Sequence, residues 1–233
     1  MVHDTTGALV AVAVDGPSGS GKSSTARGVA AHLGWNYVDT GAMYRALTWW
    51  MINEGVDVTD PEAVTARVGE PTLDISVDPL ALGVYVNGRE VSTEIRDPHV
   101  TESVSAVSAV PAVRERLVAI QREIMERSAV VVEGRDIGTV VAPDAAVKIF
   151  LVAATEARAV RRAAEWAHDH GISVASTAAM LDQRDHLDST RELSPLTQAD
   201  DAVMIDSTAL TLDEVIDQVV AMVRDRIPSF ATS

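Results

Sequence analysis

Gly16-Pro17-Ser18-Gly19-Ser20-Gly21-Lys22-Ser23 satisfies the spacing G-x-x-x-x-G-K-[ST] at every fixed position. In such a loop the glycines let backbone N–H groups turn inward around phosphates, and the helix that follows adds partial positive charge. Lys22 then reaches the β and γ phosphates, and the Ser23 hydroxyl is available to a Mg²⁺ ion bridging them. A shuffled chain of this composition matches roughly once in a thousand trials. The plain alternative is a glycine-rich turn with a surface lysine. Context argues against it, because the motif lies between a buried-type apolar run (8–14, closed by Asp15) and a helical pattern (22–33). Lys22 is also one of only two lysines, with Lys148, among 19 Lys and Arg residues.

A phosphate cradle implies a nucleoside triphosphate and leaves the reaction open. No Asn-Lys-x-Asp guanine reader occurs, since the asparagines precede Tyr37, Glu54 and Gly88, and no DxxG switch follows the phosphate loop. A motor or transporter ATPase needs a larger chain. A small phosphotransferase with a second bound acceptor remains. Its acceptor belongs at the carboxyl ends of parallel strands. Four stretches stand there or beside them: 39–45, Glu133-Gly134-Arg135-Asp136, the arginines Arg158, Arg161 and Arg162 on one helical face, and Arg184, Asp188 and Arg191 on another. Guanidinium forks that hold two anions in line suit phosphoryl transfer, which needs little general-base chemistry. The bland readings are a solvated face pairing Arg158, Arg161 and Arg162 with Glu156 and Glu165, and local pairs of Arg184 and Arg191 with Asp182, Asp185 and Asp188.

The elements that must position these residues follow from periodicity. Further apolar runs at 37–38, 129–132, 147–152 and 202–205 read as strands. Helical patterns at 44–53, 112–127, 155–168, 177–188 and 212–227 separate them, so a parallel sheet covered on both faces is expected. Residues 73–91 break the rhythm: alternation around Asn87-Gly88 predicts an antiparallel hairpin. Trp35, Trp49, Trp50 and Trp166 read as core or interface, and His168-x-His170 as a polar helix end. The formal net charge of −15 disfavours nucleic acid and anionic membranes as partners. The absence of cysteine excludes disulfides and Cys-ligated zinc. With no basic residue ahead of an apolar run in 1–7, and no bilayer-length apolar stretch, a soluble, cytoplasmic protein is expected.

The chain resembles the bacterial cytidylate kinases over nearly its whole length. The matching blocks are Asp15-Gly16-Pro17-Ser18-Gly19-Ser20-Gly21-Lys22, Asp39-Thr40-Gly41-Ala42-Met43-Tyr44-Arg45, Gly134-Arg135-Asp136-Ile137-Gly138-Thr139-Val140-Val141, the strand stretch carrying Lys148, and Arg184-Asp185-x-x-Asp188-x-x-Arg191. The resemblance implies an α/β P-loop nucleoside-monophosphate kinase fold, with a five-stranded parallel sheet, helices on both faces, a small antiparallel insert and a short lid. It divides the chain into core (8–39), a monophosphate-binding region (40–110, with the β insert at 70–100), core (111–157), lid (158–175) and core (176–233). It implies transfer of the ATP γ-phosphoryl group to CMP or dCMP with Mg²⁺, by a monomer. The alternatives are a kinase for another small acceptor such as UMP, AMP or shikimate, or a non-catalytic ATP-binding module.

By the same resemblance, Gly16 to Ser24 and Arg161 bind ATP, with Ser23 or Ser24 on the metal. Lys22, Arg135, Arg158 and Arg162 act on the transferring phosphoryl group. Thr40, Tyr44 and Arg45 face the acceptor, and Arg45, Arg135 and Arg191 hold its phosphate. Ser105, Arg114 and Asp136 read the cytosine edge, and Arg184 and Asp188 the ribose. Lys148 falls at a strand position and reads as structural. Thr40 stands where the family more commonly has serine.

Overall fold

All seven residues of strand β1 (Leu9–Asp15) are buried, because each face of the strand meets a different helical layer. Val10, Val12 and Val14 pack with α1 (Lys22–Leu33) and α8 (Leu212–Arg226). Leu9, Ala11 and Ala13 pack with α2 (Thr40–Asn53), α4 (Pro98–Ala109) and α5 (Pro111–Met125). The near-continuous apolar run is what a parallel strand covered on both sides requires. The computed structural model describes residues 9–166 and 173–227, and side chains as far as 163 in the first stretch. The readings placed on 1–7, on Trp166, on His168 and His170, and on the lid beyond 166 lie outside these.

The main sheet has the order β2-β6-β1-β7-β8, all parallel. Its other strands are β2 (Asn36–Asp39), β6 (Val130–Gly134), β7 (Ala145–Val152) and β8 (Val203–Asp206). The register sets three carboxyl ends level, with Asp15 opposite Gly134 and Asp39 opposite Glu133. Lys148 of β7 donates to both Asp201 carboxylate oxygens at 2.9 and 2.7 Å, anchoring the approach to β8.

Short strands β3 (Leu73–Ile75), β4 (Val84–Val86) and β5 (Arg89–Glu90) form a separate antiparallel sheet. Asn87 and Gly88 turn β4 into β5 with φ of 51° and 77°, the double left-handed geometry of a type I′ hairpin. Leu73, Ile75 and Val84 pack on the layer that contains α2. Helix α2 starts at Thr40, a turn earlier than its apolar pattern, because the Asp39 carboxylate caps it by accepting from the Ala42 N–H at 2.8 Å. Helix α3 (Pro61–Arg67) and α4 were not marked by periodicity. Each begins with proline after a capping aspartate, Asp60 and Asp97. Helices α6 (Thr155–Trp166) and α7 (Val174–Thr190) pack on one another. Among the described residues no helix is long and apolar enough to cross a membrane.

Candidate active site

The phosphate loop occupies the carboxyl end of the central strand. Gly16 has φ 147° there, and a Cβ on it would lie 2.1 Å from the Leu151 carbonyl oxygen, so only glycine fits beside β7. Gly21, φ 94°, precedes α1, and no side chain caps that helix. The first N–H groups of α1 are therefore left for an anion, whereas α2, α3, α4, α7 and α8 are capped by their own chain.

Two clefts meet at this loop. One is lined by Gly19 to Thr25 together with Arg161, Arg162, Ser207 and the start of α8. The other is lined by Thr40, Tyr44, Arg45, Ser105, Arg114, Arg135, Asp136, Arg184, Asp188 and Arg191. Gly19, Lys22, Ser23 and Arg162 line both. Lys22, 6% exposed, donates to the Pro17 carbonyl at 2.7 Å. Burial, then Arg135 and Arg184, hold its ammonium down to about 7. Burial and Arg135 likewise push Arg184 below the usual guanidinium range. The junction thus concentrates cations that disfavour one another until an anion arrives.

The second cleft draws side chains from five separate parts of the chain. Against its own burial, Asp188 is held below the usual carboxylate range by Arg135 and Arg184. It accepts from Arg135 Nε at 2.8 Å. Asp136, 5% exposed, pairs with Arg114 and lies 3.8 Å from Arg191. Arg114 also reaches Ser194 Oγ at 3.1 Å and lies over the Tyr44 ring. Arg45 pairs with Asp39 at 3.1 Å, and Arg191 donates to the Ser194 carbonyl at 2.5 Å. The Thr40 hydroxyl lines the cleft but donates its hydrogen to the Glu133 carbonyl at 2.7 Å. Buried guanidinium nitrogens of Arg45, Arg184 and Arg191 make no hydrogen bond within the protein. Such orphaned donors fit anionic ligands.

The three arginines of α6 separate. Arg162 lines both clefts, whereas Arg161 lines the first and donates to the Ser207 carbonyl at 2.6 Å. Arg158 lines neither cleft. It is 5% exposed, donates to the Ser18 carbonyl at 3.0 Å and pairs with Asp185, whose other oxygen accepts the Ser18 N–H at 3.0 Å. The ring of Ser18, Asp185 and Arg158 fastens the loop tip to α6 and α7.

Motif matching assigns no role to three carboxylates found here: Asp185, Asp15 and Glu133. Glu133 is 4% exposed and accepts from the Tyr37 hydroxyl at 2.6 Å. Burial, then Asp39, raises its carboxyl above the usual range, while Lys22 and the Ser23 hydroxyl act in the opposite sense. The signal in the sequence was an acidic residue closing an otherwise apolar strand, both in Val130–Gly134 and in Leu9–Asp15. Among the described residues no three His, Cys, Asp or Glu side chains converge on a metal position.

Comparison with known proteins agrees with this geometry. The family model described as Cytidylate kinase matches residues 12–225. A protein named cytidylate kinase from Streptomyces avermitilis is 52% identical over 219 residues, covering 93% of this chain and 94% of that one. Another of that name, from Rhodococcus opacus, is 53% identical over 218 residues, covering 92% and 95%. The crystal structure of an uncharacterized protein from Eubacterium ventriosum superposes with a TM-score of 0.50 at 12% identity, covering 94% of this chain and 99% of that one. That likeness concerns the fold alone.

Proposed function

The chain belongs to the cytidylate kinase family, ATP-dependent kinases of CMP and dCMP, and from that premise we propose how its two clefts divide the work. The cleft along α1 takes ATP, with the β and γ phosphates on the backbone of Gly19 to Ser24 and on Lys22. Arg161 and Arg162 approach the triphosphate from the lid, 158–175. The other cleft takes the acceptor. Arg45, Arg135 and Arg191 hold its phosphate, Arg184 and Asp188 its ribose, and Ser105, Arg114 and Asp136 its base, with Thr40 and Tyr44 along the wall. The Asp136 carboxylate accepts from the exocyclic amine that cytosine has and uracil lacks. Arg158 acts through its hold on Ser18, which places it as a support of the loop in this conformation.

One observation carries the reading: Lys22 lines both clefts, while the arginines of the second keep buried nitrogens, Nε of Arg45 and Arg184 and an Nη of Arg191, that no protein atom hydrogen-bonds. Catalysis is then positioning and charge neutralisation, as the acceptor phosphate is brought in line with the γ phosphate. In a non-catalytic ATP-binding module the acceptor-side arginines would be idle. Both clefts are completed within one chain, which supports a monomer as the working unit.

The residues present fit Mg²⁺. The Ser23 hydroxyl sits beside the buried Glu133 carboxylate, a hard-oxygen pair at the point where the clefts meet, and Mg²⁺ commonly combines few protein oxygens with substrate phosphates and water. This favours Ser23 over Ser24, which lines the ATP cleft only. When bound, the ion neutralises phosphate charge.

A coupled assay of ADP release over CMP, dCMP, UMP and AMP tests the function. Turnover on CMP and dCMP far above that on UMP is expected. Equal rates with UMP would remove the base-reading role of Asp136.

A further inference from the structure

Asp15 is a carboxylate at the end of a strand otherwise made of Leu, Val and Ala, and it is 4% exposed. Such a group persists in a core only when its oxygens are satisfied. Its two oxygens accept from the Ile137 N–H at 2.9 Å and the Gly138 N–H at 2.7 Å, across more than a hundred residues of sequence. Those amides open a single π-helical turn, Ile137–Val141, closed by i to i+5 bonds from Val141 to Asp136 (3.1 Å) and from Ala142 to Ile137 (2.7 Å). The first N–H groups of any helical turn lack partners within it. The residue best placed to cap them is the one just before, and here that residue is Asp136, a strong capping type.

Asp136 does not cap the turn. Its backbone stands at φ −143° and ψ 27°, its side chain makes no capping bond, and its carboxylate turns into the acceptor cleft to meet Arg114 and Arg191. We propose that Asp15 is a positioning residue that caps this turn in place of Asp136, and so frees the Asp136 carboxylate to read the acceptor base. The strand that delivers the phosphate loop thereby also holds the loop that selects the acceptor. Gly138 admits this contact closely: a Cβ there would lie 3.4 Å from Asp15 Oδ2 and 3.3 Å from Lys148 Cδ. Without the Asp15 cap, Asp136 can swing back onto its own turn, and the base loses its reader while the phosphate loop keeps its glycines and Lys22.

The inference rests on the assignment of base reading to Asp136, and the experiment separates the two. Steady-state kinetics with CMP, UMP and ATP are measured for Asp15→Asn, Asp136→Ala and the double variant. Asp15→Asn is expected to raise KM for CMP and to lower the preference for CMP over UMP, each about tenfold, with KM for ATP unchanged. In the Asp136→Ala background the same substitution adds nothing to the loss of preference, because the two residues act in series. Asp15→Ala, which removes both acceptors where Asn keeps one, gives a larger effect in the same direction and serves where the Asn variant does not fold. Equal rises in KM for ATP and CMP, or a further loss of preference in the double variant, make Asp15 a general scaffold residue and overturn the inference. An intact preference in Asp15→Asn, with the preference lost in Asp136→Ala, overturns it alone. An intact preference in Asp136→Ala overturns the base-reading assignment and the inference together.

Discussion

The two clefts, which we assign to ATP and to the acceptor, share a lysine but are built from different materials. The first is built around one continuous stretch, Gly19 to Thr25, whose backbone opens a helix that no side chain caps, with Arg161, Arg162, Ser207 and the start of α8 completing it. The second is side chains drawn from α2, α4, α5, α7 and the loop after β6, in which several arginines are paired with carboxylates. A backbone site recognises what every nucleoside triphosphate has in common. A side-chain site tells one acceptor from another, and it needs counter-charges to hold its cations in place while empty.

Removing the shared group tests the contrast most severely. Lys22→Ala is expected to lower kcat/KM about a thousandfold or more with the fold retained, seen as an unchanged circular dichroism spectrum. Near-normal turnover would sink the cradle. On the acceptor side alone, Arg135→Ala should raise KM for CMP about a hundredfold and leave ATP binding, followed by calorimetry without CMP, almost unchanged. A matching loss of ATP affinity would show that the clefts are not separable in this way. Asp185→Asn leaves the buried Arg158 guanidinium with only its longer carboxylate contact, to exposed Asp182 at 3.6 Å. A loss of about 2 kcal/mol in urea unfolding is expected, and unchanged stability would mean the Ser18 ring holds nothing.

The smallest effect concerns protons. Burial raises the Asp15 carboxyl from 3.8 to about 6, with its two backbone hydrogen bonds acting the other way. Between those values the folded chain holds a proton that the unfolded chain has released, so this group's contribution falls as pH rises. Acidifying from pH 7 to pH 5 should therefore stabilise the natural protein by about 1 kcal/mol relative to Asp15→Asn. Parallel stability profiles for the two proteins would contradict the burial of this charge.

The same contrast governs what could be read in advance. The phosphate loop is local, so its eight residues identify it, and Asn87-Gly88 announces the hairpin because a type I′ turn needs left-handed residues. The five parallel strands follow from apolar runs buried on both faces. Helices α3 and α4 escaped because their signal is an Asp-Pro start in place of a long apolar period. The position of Arg158 escaped because its partner, Asp185, is 27 residues distant and belongs to another helix. Spacing i, i+3, i+4 correctly puts three arginines near one another on α6 and says nothing about which carboxylate claims each. The π-helical turn has no periodicity to detect, and its capping residue comes from the opposite end of the sheet in sequence.

The lining of each cleft beyond Gly19, Lys22, Ser23 and Arg162 belongs to that cleft alone. With donor and acceptor seated as proposed, each partner would be gripped mainly by residues that the other does not touch, so a change confined to one grip can retune one partner while sparing the other.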